Sequence, residues 1–274
     1  MTNDDNSRSD AIVIVSINKK NNELRMFSVY RDTLLDVGED IGLDKITHAY
    51  FYGKAERSMR SLNRNMDLNI KEAVVINWKS VATLIDALGG IEINVKESEL
   101  EELNHYVGET ARNVGTEKHK VKKAGKQTLD GAQAVTYARI RKDAATGDYR
   151  RNERMKIVFK KTIQKAKKAD IATLLNVCQE VMPQIKTNMS SGDMLKLGLK
   201  LKSYDIKSTS KGWPFEVTGW TGTAAGGAAW YGPPINLSNN VSELHEKFFD
   251  QKDYQPTETV QTISNNISYL TGIY

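Results

Sequence analysis

Ala11-Ile12-Val13-Ile14-Val15-Ser16-Ile17, the polar turn Asn18-Lys19-Lys20-Asn21-Asn22 and the segment Leu24–Tyr30 together decide how the chain folds. A run of branched apolar residues bounded by a turn reads as a strand, here one buried on both faces. The apolar residues after the turn read as its antiparallel partner. The hairpin closes on Tyr30-Arg31-Asp32-Thr33, where a buried strand gives way to polar residues. Ligands gather at strand ends in open α/β sheets, and an arginine held there by a rigid strand is a candidate anion clamp. The plainer alternative is a surface ion pair between Arg31 and Asp32.

Downstream, the apolar spacing from Ile46 to Met66 predicts a helix, Ala73–Ile76 a short strand, and Trp78–Leu88 a helix stopped by Gly89-Gly90. Ile91–Val95 reads as a strand, Glu97–Tyr106 as a short helix, Gly108–Gly125 as a polar, basic surface loop and Asp130–Ala138 as a helix. Arg139–Asp148 is charged and turn-like. From Tyr149 to Lys168, Met155, Val158, Phe159, Thr162 and Ala166 fall at helical spacing. A second helix over Ile171–Met182 stops near Pro183, and a third, capped by Ser190 or Ser191, runs through Lys202. Trp213–Pro234 reads as strands and loops, and Asn240-Val241-Ser242-Glu243 as the capping box of a helix to Phe249. Strands alternating with helices predict one α/β or α+β domain over 1–274, a central mixed sheet flanked by helices.

Composition narrows the function. Of 274 residues, 39% are hydrophobic and 27% charged, a mix that buries a core and excludes wholesale disorder. No apolar run approaches the roughly 20 residues needed to cross a bilayer. The single cysteine, Cys178, excludes a disulfide framework and a cysteine-rich zinc module, and its apolar neighbours mark it as a small core residue. The four histidines show no zinc spacing, and no GxSxG, P-loop or GxGxxG is present. A net charge of +5 points to an anionic partner without choosing among nucleic acid, a phosphate ligand and an anionic surface. The polar run Met1–Ser9 carries no signal pattern and leads at once into a buried-type strand, so we expect a further segment upstream of residue 1.

A second cluster of arginines strengthens the anion reading. Tyr137-Ala138-Arg139-Ile140-Arg141 places two arginines on one side of the chain if the stretch is extended. Arg151 and Arg154 share a face in the first turns of the next helix. A cation there opposes the helix dipole, and an anion between the guanidinium groups and the helix start resolves the conflict. Asp148, just before that helix, is a candidate N-cap or hydrogen-bond acceptor. Guanidinium binds two phosphate oxygens through parallel N–H donors, which lysine cannot do. Arginines converging on one spot require a multiply charged anion, and a pyrophosphate meets that requirement. Asp10, immediately before the first strand, is a candidate Mg²⁺ ligand, because that ion is often held by one or two carboxylates plus phosphate oxygens.

Taken in order, Ser9-Asp10-Ala11-Ile12, Ser28-Val29-Tyr30-Arg31-Asp32-Thr33, Lys45-Ile46-Thr47-His48-Ala49-Tyr50, Leu88-Gly89-Gly90-Ile91, Tyr137-Ala138-Arg139-Ile140-Arg141 and Gly147-Asp148-Tyr149-Arg150-Arg151-Asn152-Glu153-Arg154 resemble the LytR-CpsA-Psr family. The resemblance runs from about Asp10 to Lys165. It implies a membrane-anchored phosphotransferase on the outer face of the cell membrane of a Gram-positive-type bacterium. Such an enzyme moves wall teichoic acid, capsule or another polysaccharide from a polyprenyl-pyrophosphate carrier to peptidoglycan, with no nucleic-acid partner. It also implies Mg²⁺ held by Asp10, and pyrophosphate binding by Arg31, Lys45, Arg139, Arg141, Arg151 and Arg154, with Arg31, Arg139, Arg141 and Asp148 as the catalytic set. Asp148 or Asp32 would serve as base or orient an arginine. A lipid pocket between sheet and helices is implied too, and Val158, Phe159, Leu174, Leu175, Leu195 and Leu199 are its candidate lining, or else ordinary core. The chain departs from the family pattern at Tyr30, where proline is usual, and at Met155, where glutamine is usual; a further metal aspartate of the family, and the anchor, would precede residue 1. Two other classes share these features: a nucleic-acid-binding regulator, and a carrier-pyrophosphate hydrolase or binder that does not transfer.

Overall fold

A computed structural model describes residues 8–140, 147–208 and 212–274. The chain condenses into two compact units, Met1–Ala73 with Tyr204–Tyr274, and Val74–Ser203.

In the first unit, β1 (Ile12–Asn18) and β2 (Glu23–Val29) form the expected antiparallel hairpin, with Ile14 opposite Phe27. The expectation that β1 is buried on both faces is corrected: Val13 and Val15 are 40% and 47% exposed, while Ile14 is buried. Successive side chains of a strand point to opposite faces, and only the Ile14 face of β1 is covered by the core. β3 (Leu34–Asp36) and β4 (Leu43–Lys45) pair antiparallel, and α1 (Ile46–Met66) follows with the bounds its apolar spacing predicts. Its helical geometry lapses once, at Gly53 and Lys54.

The second unit opens with β5 (Val74–Val75) and α2 (Trp78–Ala87), capped by Asn77, whose Oδ1 accepts the Ser80 N–H at 2.8 Å. β6 (Ile91–Val95) alternates buried Ile91, Ile93 and Val95 with exposed Glu92 and Asn94, and pairs antiparallel with β7 (Gly125–Leu129). Between them α3 (Glu97–Val114) continues past Tyr106, which corrects the surface loop expected from Gly108 onward. Buried Leu103, Val107, Ala111 and Val114 carry one apolar stripe through that stretch. β7 was not read from the sequence. α4 (Gly131–Arg139) begins with a capping box between Asp130 and Gln133 and is buried from Gly131 to Ala138. Then come α5 (Gly147–Lys168), α6 (Ile171–Val181), β8 (Lys186–Thr187), which pairs with β5, and α7 (Ser191–Lys200), capped by Ser190. Ile85, Ile91, Ile93, Leu103, Leu129, Tyr137 and Val158 center the core of this unit. Cys178 is half-buried, and its burial raises the thiol pKa.

The chain then completes the first unit. β9 (Asp205–Ser208) lies parallel to β2, giving a mixed three-stranded sheet in the order β1-β2-β9. β10 (Trp220–Ala224) and β11 (Gly227–Tyr231) form a hairpin, followed by α8 (Leu237–Phe249) and α9 (Glu258–Thr271). The expected cap at Asn240 is corrected: Asn236 caps α8, and Asn240 lies buried in its first turn, where its Nδ2 donates to the carbonyl of Ile235 at 2.8 Å. α9 carried no prediction, although Val260, Ile263 and Ile267 are fully spaced for a buried face. Phe27 meets Phe248 edge-on at 4.5 Å, which seats α8 on the sheet. The α/β class with a mixed sheet and flanking helices is the one expected.

A close approach in the second unit gives a test. A Cβ added at Gly131 would lie 2.3 Å from the carbonyl oxygen of Ala82, backbone that cannot swing aside. Gly131→Ala should therefore lower the unfolding free energy by about 1–3 kcal/mol, read as a lower denaturant midpoint; an unchanged midpoint would contradict the α2–α4 packing.

Candidate functional site

Arg31 sits where the hairpin strand ends, and its backbone is gripped from two sides. Thr47 N–H donates to the Arg31 carbonyl at 3.1 Å, Gly232 N–H to the Asp32 carbonyl at 2.9 Å, and Ile46 N–H to the Thr33 carbonyl at 2.9 Å. The Thr33 hydroxyl closes the turn onto the Tyr30 carbonyl at 2.6 Å. Thr47 also donates its hydroxyl to the carbonyl of Ser9, so the residues leading into β1 are tied to the start of α1. Sequence-distant pieces thus fix the position from which Arg31 and Asp32 project.

Their side chains join a row of alternating charge. Arg31 Nη1 donates to Asp10 Oδ1 at 3.0 Å, Arg31 Nε lies 3.7 Å from Asp32 Oδ2, and Lys45 Nζ lies 3.1 Å from Asp32 Oδ1. Lys45 also stands over the Tyr231 ring at 5.4 Å. All four charged groups are partly open to solvent. Such pairs contribute no more than about 1 kcal/mol each to stability, so their interest lies in placement. The plainer reading of Arg31, an ion pair with Asp32, is present at 3.7 Å, and the guanidinium's shorter contact is with Asp10.

Beneath this row, Asp44 is fully buried. Its Oδ1 accepts the Lys45 N–H at 2.7 Å, and its Oδ2 accepts from His48 Nδ1 at 2.8 Å and from the Tyr52 hydroxyl at 3.0 Å. Burial opposes the charge, but the hydrogen bonds from His48 and Lys45 outweigh it and hold the carboxyl below its ordinary range. Asp44 therefore sets the backbone that carries Lys45. Sequence reading missed it, and an acid next to the family-like Lys45 motif was the only signal.

In the second unit, Arg139 is the last residue of α4 and half-buried, so the expectation of an extended Arg139–Arg141 stretch is corrected at Arg139. Arg141 lies outside the described residues; Asp148, expected just before the helix as its cap, is corrected to the second residue of α5, and its side chain lies outside the described residues. Arg151 and Arg154 are both buried in α5. Arg154 Nε donates to Glu99 Oε1 at 2.9 Å, and Nη1 donates to the Ile140 carbonyl at 3.1 Å. Glu99, which also accepts the Lys96 N–H at 3.0 Å, is likewise buried. Tyr137 lies beside them; burial, then the Glu99 charge, pushes its pKa up to about 12. Glu99 was not singled out from sequence, where it reads only as a first-turn acid of α3. Arg154 thus binds α5 to α3 and to the end of α4.

The candidate lipid residues divide. Val158 and Leu174 are buried, Leu195 is half-buried, and Phe159, Leu175 and Leu199 are exposed. Among the described residues, no three His, Cys, Asp or Glu side chains cluster as a ready metal cage. Asp10, the residue expected to hold Mg²⁺, accepts from Arg31 Nη1 at 3.0 Å and keeps part of its carboxylate open to solvent.

The LytR_cpsA_psr family model matches residues 2–233. The polyisoprenyl-teichoic acid–peptidoglycan teichoic acid transferase TagU of Enterococcus faecalis is 28% identical over 197 residues, 72% of this chain and 60% of that protein. The chain therefore spans about three fifths of the curated relative's length. A crystal structure from E. faecalis described as a transcriptional regulator has a TM-score of 0.70 at 25% identity, covering 96% of this chain and 90% of that one. A structure of TagT bound to LIIa-WTA has a TM-score of 0.62 at 23% identity, covering 97% and 86%, a likeness of fold.

Two predictions follow from the geometry. Glu99→Gln removes the charge partner of buried Arg154 and should cost about 3–5 kcal/mol in denaturant unfolding, and the double variant Glu99→Leu with Arg154→Leu should cost less than Glu99→Leu alone. For Asp44, the folded pKa is depressed, so its contribution is complete above the ordinary carboxylate value of about 3.9 and fades as pH falls through the lower folded value. Asp44→Asn should be less stable than wild type near neutrality, and the difference should shrink on acidification below about pH 4; a pH-independent difference would remove the ionised role.

Proposed function

The chain belongs to the LytR-CpsA-Psr family, and on that premise we propose that it is a phosphotransferase acting on a glycopolymer carried on polyprenyl pyrophosphate. The acceptor is peptidoglycan, and the polymer is wall teichoic acid, capsule or a related polysaccharide, handled at the outer face of the cell membrane. The observation that carries this reading is the Asp10–Arg31–Asp32–Lys45 row, held by backbone hydrogen bonds at a strand end. The teichoic acid transferase relative supports the substrate class.

Phosphoryl transfer asks a protein mainly for positioning and charge stabilisation. Arg31 offers a planar donor edge to phosphate oxygens, and Lys45 offers a point charge beside it. Asp32 holds both in place before substrate arrives, so little reorganisation is needed as charge grows on the leaving polyprenyl phosphate. A sugar hydroxyl of the acceptor attacks the phosphorus that bears the polymer, its proton passing to a base near the site. Asp10 would hold Mg²⁺, which when bound neutralises phosphate charge. Arg139, half-buried at the end of α4, is assigned phosphate binding in its own right, as are Arg141 and Arg151. Arg154 serves by positioning α5 through Glu99.

The test is transfer of a labelled saccharide from a synthetic polyprenyl pyrophosphate to peptidoglycan, with and without Mg²⁺. Arg31→Ala and Arg139→Ala should each lose activity by about 10²-fold or more with unchanged unfolding midpoints. Survival of activity in either would remove that residue's role. Release of saccharide without an acceptor would favour a hydrolase, and salt-dependent DNA binding without turnover would favour a regulator.

A further inference from the structure

The charge of this chain is concentrated. Residues 156–203 hold ten lysines against Asp170, Glu180 and Asp193, a net +7 where the whole chain carries +5. Lys165 and Lys168 are exposed near the end of α5, Lys200 at the end of α7, and Lys202 in the short turn Leu201–Ser203 that follows. That turn packs against α5, and Lys202 acts electrostatically on Asp170 at the start of α6. The end of α5, the start of α6 and the end of α7 are therefore neighbours. Among the same residues stand Ile171, 63% exposed, Leu175 one turn along at 42%, and Leu199 at 45%.

Single exposed aliphatic residues are ordinary. Three of them set among lysines at one end of a unit form a surface with two affinities. Lysine stems reach along apolar surface and carry their ammonium groups outward, and an interfacial helix pairs a basic face with aliphatic residues that enter the headgroup boundary. A soluble polyanion would employ the lysines and leave Ile171, Leu175 and Leu199 without a role. We propose that this end of the Val74–Ser203 unit is a docking surface for an anionic phospholipid bilayer. The proposal goes beyond the transfer reaction, since it concerns the membrane and needs no carrier, polymer or acceptor.

Cosedimentation with vesicles tests it without substrate, so its failure leaves the transfer reading intact. The protein should bind vesicles of mixed phosphatidylcholine and phosphatidylglycerol, release in high salt, and ignore pure phosphatidylcholine. Lys165→Glu, Lys168→Glu, Lys200→Glu and Lys202→Glu combined should lower binding at least about tenfold. Ile171→Ser, Leu175→Ser and Leu199→Ser combined should weaken vesicle binding and leave binding to linear polyphosphate unchanged. Both variants keep core residues intact, and matching unfolding midpoints would verify that. Wild-type vesicle binding by either variant, equal binding to neutral vesicles, or binding to polyphosphate alone would overturn the proposal.

Discussion

Everything in the first unit that bears on chemistry depends on three carbonyls. Those of Arg31, Asp32 and Thr33 accept N–H groups from α1 and from the end of β11. A strand end is normally where backbone groups lose their partners and the chain gains freedom. Here the groups that pairing within the sheet would leave open are taken up by a helix start and a hairpin. The result is a turn whose side chains project from a fixed frame, which is what a phosphate-binding arginine needs if its ordering cost is to be met during folding and not at binding. Asp44 extends the same logic one layer down, since it spends a buried charge on holding the Lys45 backbone and His48 together.

The two units treat arginine differently. Arg31 keeps its guanidinium near the surface, paired with carboxylates that solvent also reaches. Arg154 gives its guanidinium to the interior, where Glu99 and the Ile140 carbonyl receive it. A buried pair of this kind is weak support for net stability, because desolvation offsets much of the attraction. Losing one member is severe all the same. The pair therefore ties α5 to α3 with little net gain in stability. Two arginines of similar standing in a sequence motif thus come to separate surroundings, one in a solvent-reached charge row and one in the interior.

Local patterns explain why much of this was legible. The hairpin, α1, α2 and β6 were readable because branched apolar runs, helical spacing and the Gly89-Gly90 stop are written within each segment. Arg31 and Asp10 stand out by their places at the ends of the first two strands, Lys45 only through the family resemblance, and Asp32 by its adjacency to Arg31. What escaped was set by partners far along the chain. The exposure of Val13 and Val15 depends on which face of β1 other elements cover, which its own residues do not declare. The continuation of α3 was hidden by polar residues that face solvent around a narrow apolar stripe. Glu99 resembles any first-turn acid until α5 is placed against it, and Asn240 looks like a cap until it is seen buried behind Asn236.

The row at Asp10, Arg31, Asp32 and Lys45 holds two cations and two anions, so it carries no net attraction for an anion at long range. On the function proposed above, any affinity for a diphosphate would have to come from geometry at contact. In water a neutral set of flexible charges would simply pair off, and entropy would work against any particular arrangement. Here Asp32 lies between the two cations, 3.1 Å from Lys45 Nζ and 3.7 Å from Arg31 Nε, while Arg31 Nη1 donates to Asp10 at 3.0 Å. A phosphate oxygen is a stronger acceptor for a guanidinium edge than water is. On the proposed function, a phosphate arriving at the row would add contacts to donors that the fold has already placed.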